Sequence, residues 1–455
     1  MTKDQKSVWG WVLYDWANST FSTTIMAGFF PIFFKQYWSY GTDVNVSTAQ
    51  LGLGNSVASL IVALIAPILG AIADKGASRK KFLIFFAYSG VLMTAALVLV
   101  PKGNWLLAII IYATGVIGFS GANIFYDSLL PSVARGKNID FISSLGFSMG
   151  YLGGGLLFLI NVIITLYPQW FGLEDASQAV RLAFIMVALW WGGFTVFTIS
   201  WTPEDPLQPA FIRPKSVIID GLKQLSATLK KLRHLKMVVL FLFAYWCYID
   251  GVDTIIRMAV DYGLSLGFSS TDLIIALLIV QFIGFPAALA FSKLSRWIGV
   301  RKAIFSAIGI YLLVTLYATQ MTHKNEFYVL AIAIGLVQGG IQALSRSYYS
   351  RLIPKSHPAE FYGFYNMLGK FAAIIGPGLM GFAGLFARKV LTPPEAAPAQ
   401  IEAIGLMASR WAIASVSLLF ITGAILFYFV DEQRGKSDAL AFEKEMTGIS
   451  ADIYP

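Results

Sequence analysis

The chain has 455 residues, of which 57% are hydrophobic and 13% are charged, with a mean hydropathy of +0.67. Soluble domains carry about 25% charged residues, so this composition excludes a soluble globular protein and predicts an integral membrane protein. The formal net charge of +9 is then expected in loops beside anionic lipid, which makes membrane lipid a partner and argues against nucleic-acid binding.

Apolar runs of about 20 residues, the length that crosses a bilayer as a helix, predict twelve membrane spans. The expected fold class is therefore an all-α integral membrane protein. In chain order the runs cover 8–34, 49–73, 82–100, 105–130, 141–166, 182–201, 237–262, 273–291, 303–320, 327–353, 361–387 and 411–430.

A polar connection at 202–236 separates six spans from six more. We therefore expect an N-terminal half at 1–201, a C-terminal half at 237–430 and a cytoplasmic tail at 431–455. Within the connection, leucine and isoleucine residues recur on one helical face among several lysines and arginines. This pattern predicts an amphipathic helix on the inner leaflet, which serves either as a linker or as a site for a regulatory partner.

The basic residues predict the orientation in the membrane. With both termini in the cytoplasm, 24 of the 34 Lys and Arg residues fall in cytoplasmic segments, seven on the opposite side and three within spans, where Arg351 at the end of the tenth run is counted as cytoplasmic. This distribution follows the positive-inside rule, so both termini are expected in the cytoplasm. The polar start of the chain has no small-residue cleavage site, and we expect no removable signal peptide.

The turn between spans 2 and 3 carries a motif of small, acidic and basic residues. Gly70 stands one turn before Asp74, and a basic turn with Arg79, Lys80 and Lys81 follows. We expect Gly70 to allow a neighbouring helix to approach, and Asp74 to cap a helix N-terminus or to pair with an arginine. The basic residues are expected to anchor the turn at the lipid headgroups.

This motif resembles the loop signature of the major facilitator superfamily, lengthened by one residue. A degenerate copy stands between spans 8 and 9 at 293–302, with Ser295 in the place of the acid. A copy at the same place in each half supports two pseudo-symmetric six-helix halves, the arrangement of this superfamily.

Further motifs narrow the family. Together they resemble the vacuole-effluxer-like branch of the superfamily, which includes the autophagy-related vacuolar amino-acid effluxers of fungi and many bacterial members. The resemblance implies a secondary transporter, and the short loops fit a bacterial member in the cytoplasmic (inner) membrane. The motifs are Tyr14-Asp15-Trp16-Ala17-Asn18-Ser19, Phe29-Phe30-Pro31, Gly150-Tyr151-Leu152-Gly153-Gly154-Gly155, Gly335-Leu336-Val337-Gln338-Gly339-Gly340, Gln342-Ala343-Leu344-Ser345-Arg346-Ser347, Glu360-Phe361-Tyr362-Gly363-Phe364-Tyr365, Gly369-Lys370-Phe371 and Gly376-Pro377.

The glycine run in span 5 is predicted to serve helix packing. Gly150, Gly153, Gly154 and Gly155 could be mistaken for a phosphate-binding loop, but no strand precedes them and no Lys-Ser/Thr pair follows. Small residues at this spacing permit close contact between membrane helices.

The resemblance implies that spans 1, 4, 7 and 10 line a central cavity. Each of these spans carries a charge, whereas spans 3, 6, 9 and 12 carry essentially none in their interiors. A charge in a membrane interior is costly and by default indicates a functional site. The candidate substrate or proton site comprises Asp15, Asn18, Asp127, Asp250, Asp253, Gln338, Gln342, Arg346 and Lys370.

Four of these residues are expected in the cytoplasmic half of the membrane. They are Asp15, Asp127, Arg346 and Lys370. Ion pairs among them could open or close a cytoplasmic gate, or could form a static network, since buried charges must be paired to be tolerated.

Span 7 carries Asp250, Asp253, Arg257 and Asp261 on one helical stripe. Two carboxylates one turn apart disfavour each other's charged form, so one of them could take up a proton near neutral pH. We expect Asp250 to be the proton or substrate-amine site, and Asp253 to form an ion pair with Arg257. A purely structural ladder of Asp253, Arg257 and Asp261 is the alternative.

These patterns predict secondary active transport of a small polar solute by alternating access, with proton coupling as a hypothesis. Acidic and basic groups in one cavity suit a zwitterion such as an amino acid, and the resemblance implies efflux. Export of a siderophore or a drug-like compound is the alternative within transport. A lipid scramblase and a non-transporting membrane sensor are alternatives from other classes.

No catalytic residue, metal site or cofactor is expected, and the chain is not predicted to be an enzyme. Cys247 is the one cysteine, and His234, His323 and His357 all lie in loops or at their edges. No span therefore offers a histidine as a catalytic base. A monomer is expected.

Overall fold

The computed structural model describes residues 1–42, 44–75, 79–134, 137–203, 226, 230, 235–266, 268–393 and 398–447. The regular structure of these residues is helical. The predicted amphipathic linker helix lies outside the described residues, apart from isolated positions.

Six long helices make up the first half. The helix α1 (Lys3–Thr20) continues through a π-helical stretch, Phe21–Phe29, one α-helical turn, Phe30–Phe33, and a second π-helical stretch, Phe34–Trp38. The others are α2 (Val44–Lys75), α3 (Arg79–Ala96), α4 (Trp105–Ser128), α5 (Ile139–Leu166) and α6 (Ala176–Trp201), with short helical turns at Leu97–Leu99, Leu130–Val133 and Pro168–Phe171.

The second half also has six helical spans, the last of which is divided into two helices, and a further helix follows in the tail. Its helices are α7 (Lys236–Ser265), α8 (Ser270–Ile298), α9 (Val300–Ala318), α10 (Lys324–Leu352), α11 (Pro358–Leu391), α12 (Pro398–Ser415), α13 (Ser417–Tyr428) and α14 (Glu432–Thr447). Val416 alone separates α12 from α13, which together correspond to the twelfth predicted span.

Local sequence explains where several helices begin. Thr2 and Gln5 form a reciprocal capping box at the start of α1, and Asn138 and Asp175 accept backbone N–H groups at the starts of α5 and α6. Gly299 joins α8 to α9 with φ = 87°, a backbone conformation that favours glycine.

All twelve predicted spans coincide with helices. Among the described residues, ten helices are long and apolar enough to cross a membrane. The other two predicted spans, the first and the eleventh, are also helical, over residues 3–38 and Pro358–Leu391. The helices extend beyond the apolar runs because polar residues continue them at their ends, and the helix of the last span begins at Pro398 rather than at residue 411.

The chain divides into two compact units. The first contains Met1–Val239, Arg346–Met367 and Asp431–Pro455, and the second contains Leu240–Ser345 and Leu368–Val430. Within the first unit, α1 packs against α5 and α6, and α4 packs against α2 and α3. Within the second unit, α9 packs against α8 and α13.

The glycines of α5 bring this helix against α1, which confirms the packing prediction. A Cβ on Gly153 would lie 2.5 Å from the Trp16 carbonyl oxygen, and one on Gly150 would lie 2.6 Å from Ser19 Oγ. These distances are shorter than real Cβ contacts, so side chains at these positions would separate the two helices. The close approach places the polar residues of α1 directly against α5.

Candidate functional site

The strongest candidate site is a buried cluster of charges around Arg346, near the end of α10 that is predicted to be cytoplasmic. Arg346 Nη1 donates to Asp127 Oδ1 at 3.1 Å, and Nη2 lies 3.4 Å from Asp15 Oδ2. The guanidinium also donates to Ser143, through Nε to the hydroxyl at 3.0 Å and through Nη2 to the carbonyl oxygen at 2.9 Å. Arg346, Asp15 and Asp127 are each less than 9% exposed.

Aromatic rings enclose the same guanidinium. Its Cζ lies 4.2 Å from the ring centre of Phe147, 4.7 Å from Trp11 and 5.5 Å from Tyr126. Trp11 and Tyr126 stack on each other, and the Tyr126 hydroxyl donates to Asp15 Oδ2 at 2.7 Å. The rings exclude water and contribute cation–π attraction, so the pairs are held in a low-dielectric environment.

Amide side chains border the cluster. Asn18 Nδ2 donates to Asn123 Oδ1 at 2.6 Å, which links α1 to α4. Asn366 Nδ2 donates to Asp127 Oδ2 at 3.2 Å, and the Tyr362 hydroxyl donates to the Arg346 carbonyl at 3.2 Å. The start of α11 therefore belongs to the same network as Arg346.

The loop motif forms a second junction, between α2 and the start of α11. Asp74 Oδ1 accepts from Arg79 Nε, and Asp74 Oδ2 accepts the backbone N–H of Glu360, both at 2.8 Å. Asp74 thus both caps a helix N-terminus and pairs with an arginine. A Cβ on Gly70 would overlap the backbone of Ala359, so a glycine is needed where the two helices cross.

One expectation for this motif is wrong. Arg79 does not reach the lipid headgroups, because its side chain is buried against Asp74. Lys80 is half-buried, and its Nζ donates to the Thr202 carbonyl at 2.9 Å.

The helix α14 is joined to the same region. Arg351, one turn beyond Arg346, pairs with Asp140 of α5 and with Glu432 of α14. Glu443 accepts the backbone N–H of Ser356 at 3.0 Å, and the buried Phe442 ring packs edge-on against Phe361. The described part of the predicted tail, Glu432–Thr447, is therefore a docked helix.

Asp250 lies in the second unit, in a different environment. Its Oδ1 accepts the backbone N–H of Gly376 at 2.9 Å and the Thr254 hydroxyl at 3.3 Å, and the residue is 1% exposed. Gly376 directly precedes Pro377, which interrupts the hydrogen bonding of α11. Asp250 thus accepts a hydrogen bond from α11 next to the proline that interrupts its regular hydrogen bonding.

The structure brings together Asp15, Asp127 and Arg346 of the predicted set, whereas Asn18 hydrogen-bonds Asn123, one turn before Asp127 on α4. Gln338 is buried on α10, while Gln342 and Asp253 are half-buried. The side chains of Lys370, Arg257 and Asp261 lie outside the described residues. The predicted Asp253–Arg257 pair and the expected place of Lys370 near the gate therefore remain predictions.

Sequence reasoning missed four contributors to the cluster. Trp11, Ser143 and Phe147 touch the guanidinium, and Gly146 makes room for Asp15, since a Cβ there would lie 2.6 Å from Asp15 Oδ2. The available signal was spacing: Trp11 precedes Asp15 by four residues on α1, and Ser143 and Phe147 have the same spacing on α5.

The chain is similar to a family of known proteins and to individual relatives. The family described as "Vacuole effluxer Atg22 like" matches residues 38–383. The chain is 38% identical over 435 residues to an uncharacterized MFS-type transporter, YxiO, of Bacillus subtilis (strain 168), covering 95% of this chain and 96% of that protein. It is 25% identical over 570 residues to Autophagy-related protein 22-1 of Penicillium rubens, and the match covers 97% of this chain and 92% of that protein.

Solved structures share the fold. The chain aligns with FucP, a major facilitator superfamily transporter in the outward conformation, with a TM-score of 0.67 and 13% identity over 94% of this chain and all of FucP. It aligns with the proton:xylose symporter XylE with a TM-score of 0.66 and 14% identity, and the alignment covers 97% of this chain and 98% of XylE. The fold is therefore the twelve-helix major facilitator fold, and the chain belongs to the vacuole effluxer Atg22-like family of transporters within that superfamily.

Proposed function

We propose that the chain exports a small polar solute, an amino acid or a related zwitterion, across a bacterial inner membrane by alternating access. The cluster of Arg346 with Asp15 and Asp127 is the observation that carries this proposal. It joins α1, α4 and α10, three of the helices predicted to line the cavity, at the end predicted to be cytoplasmic. The family description as effluxers supports the direction.

A gate explains these charges better than a static network does. A buried ion pair contributes little net stability, because desolvation of the charges offsets their attraction. Ion pairs that break in an open state and re-form in a closed state would give these charges a function in gating. In this proposal the Arg346 cluster closes the cytoplasmic end, and the Asp74 junction and the Arg351 pairs support the closed state.

Protons are the proposed coupling ion, with Asp15, Asp127, Asp250 and Asp253 as candidate carriers. Asp250, on α7, is the strongest candidate because its carboxylate accepts a backbone N–H of α11. A charged carboxylate accepts the Gly376 N–H strongly, whereas a protonated one accepts it weakly. Protonation of Asp250 would therefore loosen α11 at Gly376 and Pro377.

Transport by the purified full-length chain in proteoliposomes tests the proposal. We expect uptake of radiolabelled amino acids that rises with an imposed pH gradient, and we expect Asp250→Asn to remove the pH dependence. Asp4→Asn, a change of an exposed carboxylate, serves as the matched control and should keep it. If neither the pH gradient nor Asp250→Asn changes the rate of uptake, proton coupling is refuted. If the protein transports a siderophore or a drug-like compound instead of amino acids, the proposed solute class is refuted.

A further inference from the structure

Six residues of the first half surround the Arg346 guanidinium, and we call them the cation cage. Asp15 and Asp127 supply carboxylates, Ser143 supplies a hydroxyl and a carbonyl, and the rings of Trp11, Tyr126 and Phe147 lie within 5.5 Å of the guanidinium carbon. Each cage residue comes from α1, α4 or α5. Arg346, which fills the cage, comes from α10.

The cage has the chemistry of a binding site for an organic cation. Carboxylates and aromatic faces together favour a cation that is weakly hydrated and planar, and a guanidinium fits this description better than a compact ammonium. The hydroxyl and carbonyl of Ser143 give directional acceptors for N–H groups. Arg346 shows that such a group fits.

Opening the gate would remove Arg346 from the cage. Two buried carboxylates would then lose the partner that they share, which is strongly unfavourable in a low-dielectric environment. A cationic group of the solute could replace Arg346 with the same contacts. Arg346 and the solute would then compete for one site, so that solute binding itself would favour the open state.

We propose that the cation cage binds the cationic group of the transported solute when Arg346 has withdrawn, and that the solute is an amino acid with a guanidinium or ammonium group on its side chain. This inference rests on the proposed transport function and names its solute class. It ranks ligands: arginine and other guanidinium compounds bind best, lysine binds less well, and leucine and glutamate do not bind in the cage.

Ligand-dependent thermal unfolding of the purified full-length protein tests the cage. The variant Arg346→Gln leaves the cage vacant, and Arg351→Gln, one turn further along α10, is the matched control because Arg351 lies outside the cage. We expect Arg346→Gln to unfold at a lower temperature than the wild type. Millimolar L-arginine or guanidinium chloride should restore the unfolding temperature in a concentration-dependent manner, as mass action requires. Arg351→Gln should show no such rescue.

Ligand and cage controls make the outcome decisive. Equal stabilisation of Arg346→Gln by leucine, glutamate or sodium chloride, or no stabilisation by any guanidinium compound, would overturn the proposal. The double variant Arg346→Gln/Trp11→Leu should lose the response to arginine. If Arg346→Gln cannot be purified, Arg346→Lys is used, and arginine must then stabilise this variant more than it stabilises the wild type.

The binding result is separable from the transport result. Transport of neutral amino acids without any arginine response of Arg346→Gln would overturn the cage and leave the transport function intact. Arginine rescue of Arg346→Gln without transport of any amino acid would support the cage and refute the transport function.

Discussion

The Arg346 cluster contains more negative than positive groups. Among the described side chains of the cluster, two carboxylates share one guanidinium. Loss of the guanidinium therefore leaves two buried carboxylates without it, whereas neutralisation of one carboxylate leaves a one-to-one pair. The two kinds of substitution should differ in cost although each removes one charge.

We predict that Arg346→Gln lowers the free energy of unfolding by about 3–5 kcal/mol, the cost of breaking a buried pair from one side. Asp127→Asn should cost clearly less, because Arg346 keeps its contact with Asp15 and the amide can still accept a hydrogen bond. Thermal unfolding of the two purified variants beside the wild type checks the order. Equal losses for both variants would show that charge imbalance does not govern the cluster.

At the scale of elements, α14 supports the segment that carries the proposed gate. It contacts the end of α10 through Glu432, the loop to α11 through Glu443, and α11 itself through Phe442. Residues 346–367 also pair with Asp15 of α1, Asp127 of α4 and Asp140 of α5. The segment is thus held by four helices.

We predict that Phe442→Ala releases α14 from this position. Phe442 is 3% exposed, and truncation of a buried phenylalanine costs about 3–5 kcal/mol. Leu440→Ala is the matched control, since Leu440 is on the same helix and 58% exposed. Hydrogen exchange of the α14 amides should be faster in Phe442→Ala and unchanged in Leu440→Ala. Equal exchange in both would mean that the buried ring does not hold the helix.

At the scale of the whole molecule, the gate and the static network make different predictions for accessibility. Ser144 is fully buried beside Ser143. In a Cys247→Ser background, a cysteine introduced by Ser144→Cys should react slowly with a water-soluble maleimide, and transported solute should change its rate if the cytoplasmic end opens. A cysteine introduced at the exposed Ser437 is the control and should react at one rate throughout. Protection of the Ser144→Cys thiol under all conditions would favour a static network.

The twelve helices were predictable because bilayer thickness imposes a length and a hydropathy that a sequence displays directly. The pairing of Arg346 with Asp15 and Asp127 was predictable too, since the three residues have similar positions along their spans. Which helices touch was not predictable in this way. Ser143 and Phe147 join the cluster because glycines let α5 approach α1, and the sequence shows those glycines without their partners.

The docked tail shows the same limit. The 16 residues of α14 are mostly polar or charged, so the sequence resembles that of a free cytoplasmic tail. Its partners, Arg351 and Phe361, lie about 80 residues earlier in the chain. Such long-range pairing depends on the completed fold rather than on local pattern.

The long separation between Arg346 and its acids has a consequence for biosynthesis. Asp15 and Asp127 precede Arg346 by 331 and 219 residues. A ribosome that adds about 5–20 residues per second therefore inserts both carboxylates into the membrane many seconds before their partner exists. During that interval the nascent chain must keep them hydrated, protonated or shielded by the insertion machinery, so the cluster completes its assembly only after the tenth helix has entered the membrane.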